Sequence, residues 1–136
     1  MKLAADANVL LAAVMGGRAK LILNHPQVQE VLTTEHTIAE VEEYTSVLAQ
    51  KKRLRPDLLL LAVAALPIAV VESSAYSKSL AEARKRIAHR DPEDVELLAL
   101  ALEYRIPLWS NDRDFEDVRV ERFTTEDLLR QLGIIR

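Results

Sequence analysis

Four carboxylates in this chain each stand where a helix is predicted to begin: Asp6, Glu40, Asp94 and Asp112. The short runs of residues directly before Asp6 and Asp112 are typical of strands. In an open parallel α/β sheet, groups at the carboxyl ends of strands and at helix starts converge on one edge, where ligands bind. Oxygen ligands without any cysteine suit hard divalent cations. The sequence therefore predicts a cation site at that edge.

Each acid also has a structural explanation that needs no ligand. Thr37 and Glu40 are spaced as a capping box, in which an N-cap Thr and a Glu at the third helical position satisfy each other's backbone amides. The segment Asp91-Pro92-Glu93-Asp94 is typical of an Asp N-cap followed by Pro at the first helical position. The segment Thr124–Asp127 shows the same capping pattern where we expect no function. Capping alone therefore explains Glu40 about as well as chemistry does.

The segment from Ser110 to Phe115 is harder to explain by capping. It contains Asp112 and Asp114, two acids two residues apart, directly after a strand that is predicted to be buried. One helix start does not need two capping acids. Carboxylates held close together raise each other's pKa unless a cation neutralises them. We therefore favour a metal ion over capping at this turn.

Hydrophobic periodicity predicts strands that alternate with helices, which indicates an α/β fold with a mainly parallel sheet and crossover helices. The order of the strands in the sheet cannot be derived from the sequence. We expect strands at 2–6, 31–34, 68–72, 106–110 and 120–123, and helices at 8–14, 18–23, 37–52, 56–66, 75–88, 92–104 and 126–132.

Size and composition restrict the class of protein. A chain of 136 residues is predicted to form one domain, residues 1–136. The absence of cysteine excludes disulfides and thiol chemistry and fits a reducing compartment. No secretory signal is visible, and the longest apolar run, 58–71, is too short to span a bilayer. We interpret this run as a buried helix followed by a buried strand, and we expect a soluble, cytoplasmic protein without a membrane partner.

Charge is unevenly distributed along a chain whose formal net charge is −3. Acids concentrate between Asp91 and Asp117, and a basic cluster lies just before them. An acidic pocket beside a basic cluster would suit a metal-assisted site that acts on a polyanion. The alternative is solvated charge at two helix ends. The basic candidates for contact with such a polyanion are Arg84, Lys85, Arg86 and Arg90.

Other residue types that often carry chemistry receive no role here. The three histidines are isolated in the sequence, and His36 is interpreted as a loop residue next to the Thr37 cap. Trp109 lies within a predicted strand, so we expect it to pack in the core.

The segments that contain the acids resemble the motifs of PIN-domain proteins, in family order and at family spacing over nearly the whole chain. The resemblance is to the VapC-like toxins of bacterial and archaeal toxin–antitoxin pairs. It implies a three-layer α/β/α sandwich with about five strands and a metal-dependent ribonuclease that uses Mg²⁺ or Mn²⁺. It also implies a small antitoxin partner and a homodimer. The matching segments are 3–10, 37–40, 94–102 and 109–115.

The resemblance also implies roles for individual residues. Asp6, Glu40, Asp94 and Asp112 correspond to the acidic quartet that would hold the metal and carry out catalysis, and Asp91 is a second candidate for the third position. Asp114 would be an auxiliary metal ligand. Three polar residues would support the site, with Ser110 standing where the family often has Thr: Asn8, Ser110 and Asn111.

Two other classes of protein remain as alternatives. A receiver-like phosphoacceptor domain also gathers acids at a sheet edge, but it needs an acid pair after the first strand and a lysine after the last. The first strand here is followed by Asp6 alone. A non-catalytic interaction module or an orphan nuclease with the same fold would keep the four acids and look the same in sequence.

Overall fold

The computed structural model describes the whole chain, residues 1–136. Its centre is a five-stranded sheet in which all neighbouring strands run parallel, in the order β3-β2-β1-β4-β5. The strands are β1 (Lys2–Ala5), β2 (Glu30–Thr34), β3 (Ala69–Val71), β4 (Leu108–Trp109) and β5 (Arg122–Phe123).

Chain order reverses in the middle of this sheet. The chain moves outward from β1 to β2 and β3, and then returns to the other side of β1 to form β4 and β5. Leu3 pairs with Val31 of β2, and Ala5 pairs with Trp109 of β4. A reversal of this kind opens a crevice beyond the carboxyl ends of the two central strands. In this chain those strands are β1 and β4.

Seven α-helices connect or flank the strands, and four single 3₁₀ turns join them. The helices are α1 (Ala7–Val14), α2 (Ala19–Leu23), α3 (Glu35–Lys51), α4 (Pro56–Ala64), α5 (Leu80–Ile87), α6 (Val95–Tyr104) and α7 (Thr125–Gln131). The 3₁₀ turns are Ser73–Ala75, Ser77–Ser79, Pro92–Asp94 and Arg113–Phe115.

Alternation along β1 divides the interior into two apolar cores, because successive side chains of a strand point to opposite faces. Leu3 and Ala5 pack with α1, α2, α7 and the buried residues of α3 and α4, and Trp109 joins this core with no exposed surface. Ala4 packs on the opposite face, among residues of α5 and α6. The result is the predicted α/β/α sandwich, and the predicted core position of Trp109 is confirmed.

The start of α3 differs from the prediction. Thr34 is the N-cap, and its Oγ1 accepts the N–H of Thr37 at 2.9 Å, so Thr37 is already at the third helical position. The prediction of a capping box between Thr37 and Glu40 is therefore wrong. The box predicted at the other end of the chain is confirmed, since Thr124 and Asp127 cap α7 reciprocally.

Other boundaries also shift. The helix expected at 75–88 is two 3₁₀ turns followed by α5, and the helix expected at 92–104 opens with a 3₁₀ turn before α6. The strands expected at 106–110 and 120–123 shorten to two residues each.

The apolar run at 58–71 does not form a buried helix and a buried strand. It supplies most of α4 and all of β3, and β3 is an edge strand. Leu61 is 65% exposed, Leu58 is 54% exposed and Val70 is 47% exposed, so the prediction of burial is wrong for these residues. None of the helices combines the length and the apolar character that a membrane crossing requires.

Candidate active site

Asp6 lies at the carboxyl end of β1 and is the N-cap of α1. Its Oδ1 accepts the N–H of Val9 at 3.0 Å, and the hydroxyl of Ser110 donates to its Oδ2. Only 7% of the residue is exposed. Since β1 is followed directly by a helix, the strand end and the cap fix this carboxylate at the crevice between β1 and β4.

The turn after β4 brings two further acids to the same crevice. Ser110 Oγ accepts the N–H of Asp112 at 3.0 Å, and Asp112 Oδ1 accepts the N–H of Asp114 at 2.9 Å. The hydroxyl of Ser110 therefore links the end of β4 to Asp6 on one side and to Asp112 on the other.

The third group of acids comes from the segment that leads into α6. Carboxylate oxygens of Asp91, Asp94 and Asp114 all lie within 4.8 Å of one another. Asp91 caps the 3₁₀ turn by accepting the N–H of Glu93 at 2.9 Å. Asp94 Oδ2, by contrast, is buried and has no hydrogen-bond partner. The structure thus places both candidates for the third position in the cluster, and Asp94 is the one with a buried oxygen that lacks a partner.

The crowding of these acids shows in their pKa values. Burial, followed by the negative charges of Asp91, Asp112, Asp6 and Asp114, raises the pKa of Asp94 to about 8. Burial also raises the pKa of Asp6, and the charge of Asp112 adds to this effect, although the hydrogen bonds from Ser110 and Val9 oppose it. Both pKa values are raised because ionising these acids is unfavourable without a counter-charge.

This donor set fits a divalent cation. Every potential ligand in the central cluster is a carboxylate oxygen, which hard cations prefer. A buried oxygen without a partner is costly unless something binds it, and a cation near Asp94 Oδ2 would supply the missing partner.

Glu40 stands to one side of the aspartates. It projects from α3 one turn after His36, and oxygens of Glu40 and Glu93 lie within 4.8 Å of each other and of a His36 ring nitrogen. Burial and the charge of Glu93 are the largest causes that raise the pKa of Glu40, while Asp6 contributes less. Glu40 is thus the member of the predicted quartet that is least closely associated with the others.

The interpretation of His36 as an isolated loop residue is wrong. It lies in the first turn of α3, and its Nε2 is 2.7 Å from Glu93 Oε2. The four-residue spacing between His36 and Glu40 could have indicated in the sequence that the two lie close together, because residues four apart share one face of a helix. Its contact with Glu93 joins residues 57 positions apart, and no sequence pattern predicts it.

The supporting and basic residues have different positions. Asn8 is exposed in the first turn of α1, and its backbone N–H contributes to lowering the pKa of Asp6. Asn111 bonds to Thr125, with its Oδ1 accepting the Thr125 N–H at 2.8 Å. Its contact supports the turn by joining it to the start of α7.

Only part of the basic cluster is free of protein contacts. Arg86 donates to Glu82 and to the backbone carbonyl of Val118, and Arg90 lies 3.2 Å from Asp117 and 3.9 Å from Asp114. Within this cluster, Arg84 and Lys85 are the exposed residues whose side chains form no ion pair or hydrogen bond.

One residue near the site was missed in the sequence. Arg122 of β5 has a side chain that is 17% exposed, and its Nη1 donates to the backbone carbonyls of Ser110 and Asp112 at 3.0 and 3.3 Å. An arginine in a short strand carries no sequence signal for such a contact.

Comparison with known proteins identifies the family. The PIN domain family matches residues 5–133, which is nearly the whole chain. None of the curated proteins compared with the chain matches it. The chain belongs to the PIN-domain family.

Several solved structures share the fold. A protein from Pyrobaculum aerophilum is 18% identical with a TM-score of 0.73, and the match covers 99% of this chain and 91% of that one. DNA-bound VapBC from Salmonella typhimurium is 15% identical with a TM-score of 0.72, covering 92% and 98%. The sarcin–ricin loop cleaving toxin VapC20 of Mycobacterium tuberculosis is 16% identical with a TM-score of 0.59, covering 87% and 95%. At these identities the likeness shows the fold.

Proposed function

We propose that this PIN-domain protein is a ribonuclease that depends on Mg²⁺ or Mn²⁺ and hydrolyses RNA phosphodiester bonds. The observation that carries the proposal is Asp94, whose buried Oδ2 has no partner and whose pKa is raised to about 8 among four other aspartates. The similarity in fold to a sarcin–ricin loop cleaving toxin supports RNA as the substrate.

The residues that would hold the cation are Asp6, Asp94 and Asp112, with Asp114 and Glu40 as further ligands from the two sides of the crevice. A bound divalent cation supplies Lewis acidity, which lowers the pKa of water and offsets charge on phosphoryl oxygens. The cap and the Ser110 hydroxyl hold Asp6 in one orientation. At neutral pH, Asp94 keeps its carboxyl proton in the absence of a cation and would release it on ligation.

Partners follow from the same proposal. Arg84 and Lys85 would contact RNA phosphates, which positions a strand without selecting its sequence. Several structures with this fold are VapBC assemblies or a toxin–antitoxin complex. We therefore propose that the protein is a toxin that acts in the cytoplasm, that it is inhibited by a small antitoxin, and that it forms a homodimer.

The test is an RNA cleavage assay with the purified protein in Mg²⁺ or Mn²⁺, with EDTA as the metal-free condition. Asp6→Asn should lower the cleavage rate at least about 1,000-fold, which corresponds to about 4 kcal/mol of transition-state stabilisation. The fold should remain, since an Asn side chain can still accept the N–H of Val9.

Asp57→Asn is the matched control, because Asp57 is an exposed aspartate of α4 that pairs with Arg55. It should cleave at the wild-type rate. Undiminished cleavage by Asp6→Asn would refute the assignment of the acids. A folded wild-type protein that binds the cations but cleaves no RNA would favour the non-catalytic alternative.

A further inference from the structure

The Arg122 side chain spans the turn that follows β4. The last sheet hydrogen bond of this strand runs from the N–H of Ser110 to the carbonyl of Phe123. Beyond it, Arg122 Nη1 lies 3.0 Å from the carbonyl oxygen of Ser110 and 3.3 Å from that of Asp112. One guanidinium nitrogen thus binds both ends of a three-residue segment just as the chain leaves the sheet.

The two ends of this segment are the ones that matter for the acids. Ser110 donates to Asp6 and accepts from the N–H of Asp112, and Asp112 accepts from the N–H of Asp114. A rotation of either peptide would change the direction of these side chains together. Asn111, between them, is held by Thr125 on the other side.

We propose that Arg122 is a positioning residue for the cation site: its guanidinium holds the carbonyls of Ser110 and Asp112 so that the Ser110 hydroxyl and the Asp112 carboxylate keep the hydrogen bonds that orient the acids of the crevice. This inference rests on the proposed function, and it adds a residue from β5 that belongs to none of the acidic motifs. Residues that hydrogen-bond to the ligands of a metal typically weaken metal binding 10- to 100-fold when they are removed.

A simpler role for Arg122 predicts the opposite sign. If the residue were only a nearby positive charge, its removal would make the crevice more negative and would tighten cation binding. If it positions the turn, its removal weakens binding even though the local negative charge increases. The direction of the change in affinity therefore separates the two roles.

The first measurement is backbone amide hydrogen exchange, followed by NMR, for the wild type and for Arg122→Met, Arg122→Lys and Arg130→Met. In Arg122→Met the amides of Asp112 and Asp114 should exchange at least about tenfold faster, while amides of β1 stay protected. Arg130 pairs only with Glu126 on the surface of α7, so Arg130→Met should leave the turn unchanged. Unchanged protection of both amides in folded Arg122→Met would overturn the proposal.

Arg122→Lys keeps the positive charge but lacks the planar fork of donors, so it tests position apart from charge. It should show intermediate exchange, and it also serves if Arg122→Met does not fold.

The second measurement is Mn²⁺ binding followed by EPR. Arg122→Met should bind Mn²⁺ at least about tenfold more weakly than the wild type, and Arg130→Met should bind it equally well. In RNA cleavage at saturating Mn²⁺, kcat should fall more than KM changes, because the substrate contacts are elsewhere. Equal or tighter Mn²⁺ binding by Arg122→Met would overturn the positioning role.

The proposed function and the positioning role fail in different ways. A wild type that binds no Mn²⁺ would overturn the proposed function, and the cation-related part of this inference with it. A wild type that binds Mn²⁺ normally while Arg122→Met matches it would overturn the positioning role alone.

Discussion

Two regions of the molecule place side chains in unfavourable surroundings: one brings carboxylates together in a partly buried crevice, and the other exposes apolar side chains to water. At the crevice between β1 and β4, burial and the negative charges of several neighbouring carboxylates raise the pKa of Asp94 to about 8. On the other side of β2, α4 and the edge strand β3 leave Leu58, Leu61 and Val70 largely in water. A groove of about 400 Å³ is lined in part by Val70, and seven of its eight lining residues are hydrophobic.

The two regions differ in how strictly their interactions fix the positions of the side chains. In the acidic crevice, Asp6, Ser110 and Asp112 are each fixed by hydrogen bonds, so the crevice has a definite geometry and a definite charge. The apolar surface contains almost no polar group, and apolar contact is not directional. Only the first region therefore specifies the chemistry of what it would bind.

The largest expected effect on stability is a pH dependence that arises in the acidic crevice and not on the apolar surface. In EDTA, the raised pKa of Asp94 contributes stability that is fully present below its unfolded pKa of about 4 and is lost as pH rises towards about 8. Each pKa unit corresponds to about 1.4 kcal/mol, and solvent screening at this partly exposed carboxyl reduces the total, so we expect the free energy of unfolding to fall by about 2–4 kcal/mol across that range. Urea denaturation at several pH values measures it.

Asp94→Asn should remove most of this dependence, because the amide does not ionise. Addition of Mg²⁺ at pH 8 should restore stability to the wild type and have less effect on the variant. If the free energy of unfolding of Asp94→Asn had the same pH dependence as that of the wild type, ionisation of Asp94 would not be the cause of that dependence.

A smaller effect is expected at Ser110, where the bonds of the crevice meet. Ser110→Ala removes the donor to Asp6 and the acceptor for the Asp112 N–H, which should cost about 1–3 kcal/mol. Ser110→Thr keeps the hydroxyl and is the matched control. Thermal denaturation in EDTA compares the two, and equal loss in both variants would mean that packing, and not the hydroxyl, is what Ser110 supplies.

The smallest effect is expected on the apolar surface. Leu61 is 65% exposed, so Leu61→Gln should change the free energy of unfolding by less than about 0.5 kcal/mol. Glutamine has nearly the same helix propensity as leucine, so α4 itself should be retained. Urea denaturation provides the value, and a loss above about 1.5 kcal/mol would mean that Leu61 packs more closely than its exposure indicates.

Local sequence patterns predicted a residue's position correctly where that position depends on a single strand end or a single helix cap. Asp6 and Asp112 were placed at one edge because each follows a strand and parallel strands end together. The capping box of Thr124 and Asp127 was predicted for the same reason, since both partners lie within four residues.

Prediction failed where two local solutions compete. Thr34 and Thr37 can both cap a helix, and the end of β2 selects Thr34. The apolar residues of α4 suggested burial, but a helix is covered only if other elements reach it, and β3 is the last strand on that side.

The sequence by itself determined the α/β class, the parallel arrangement and the acids that follow the strands, because periodicity and caps act over a few residues. The tertiary structure alone decided the strand order, the presence of both Asp91 and Asp94 in one cluster, and the contact of His36 with Glu93. It also decided the contact of Arg122 with the turn after β4. These features join distant residues, and only the packing of helices against a complete sheet brings such residues within bonding distance.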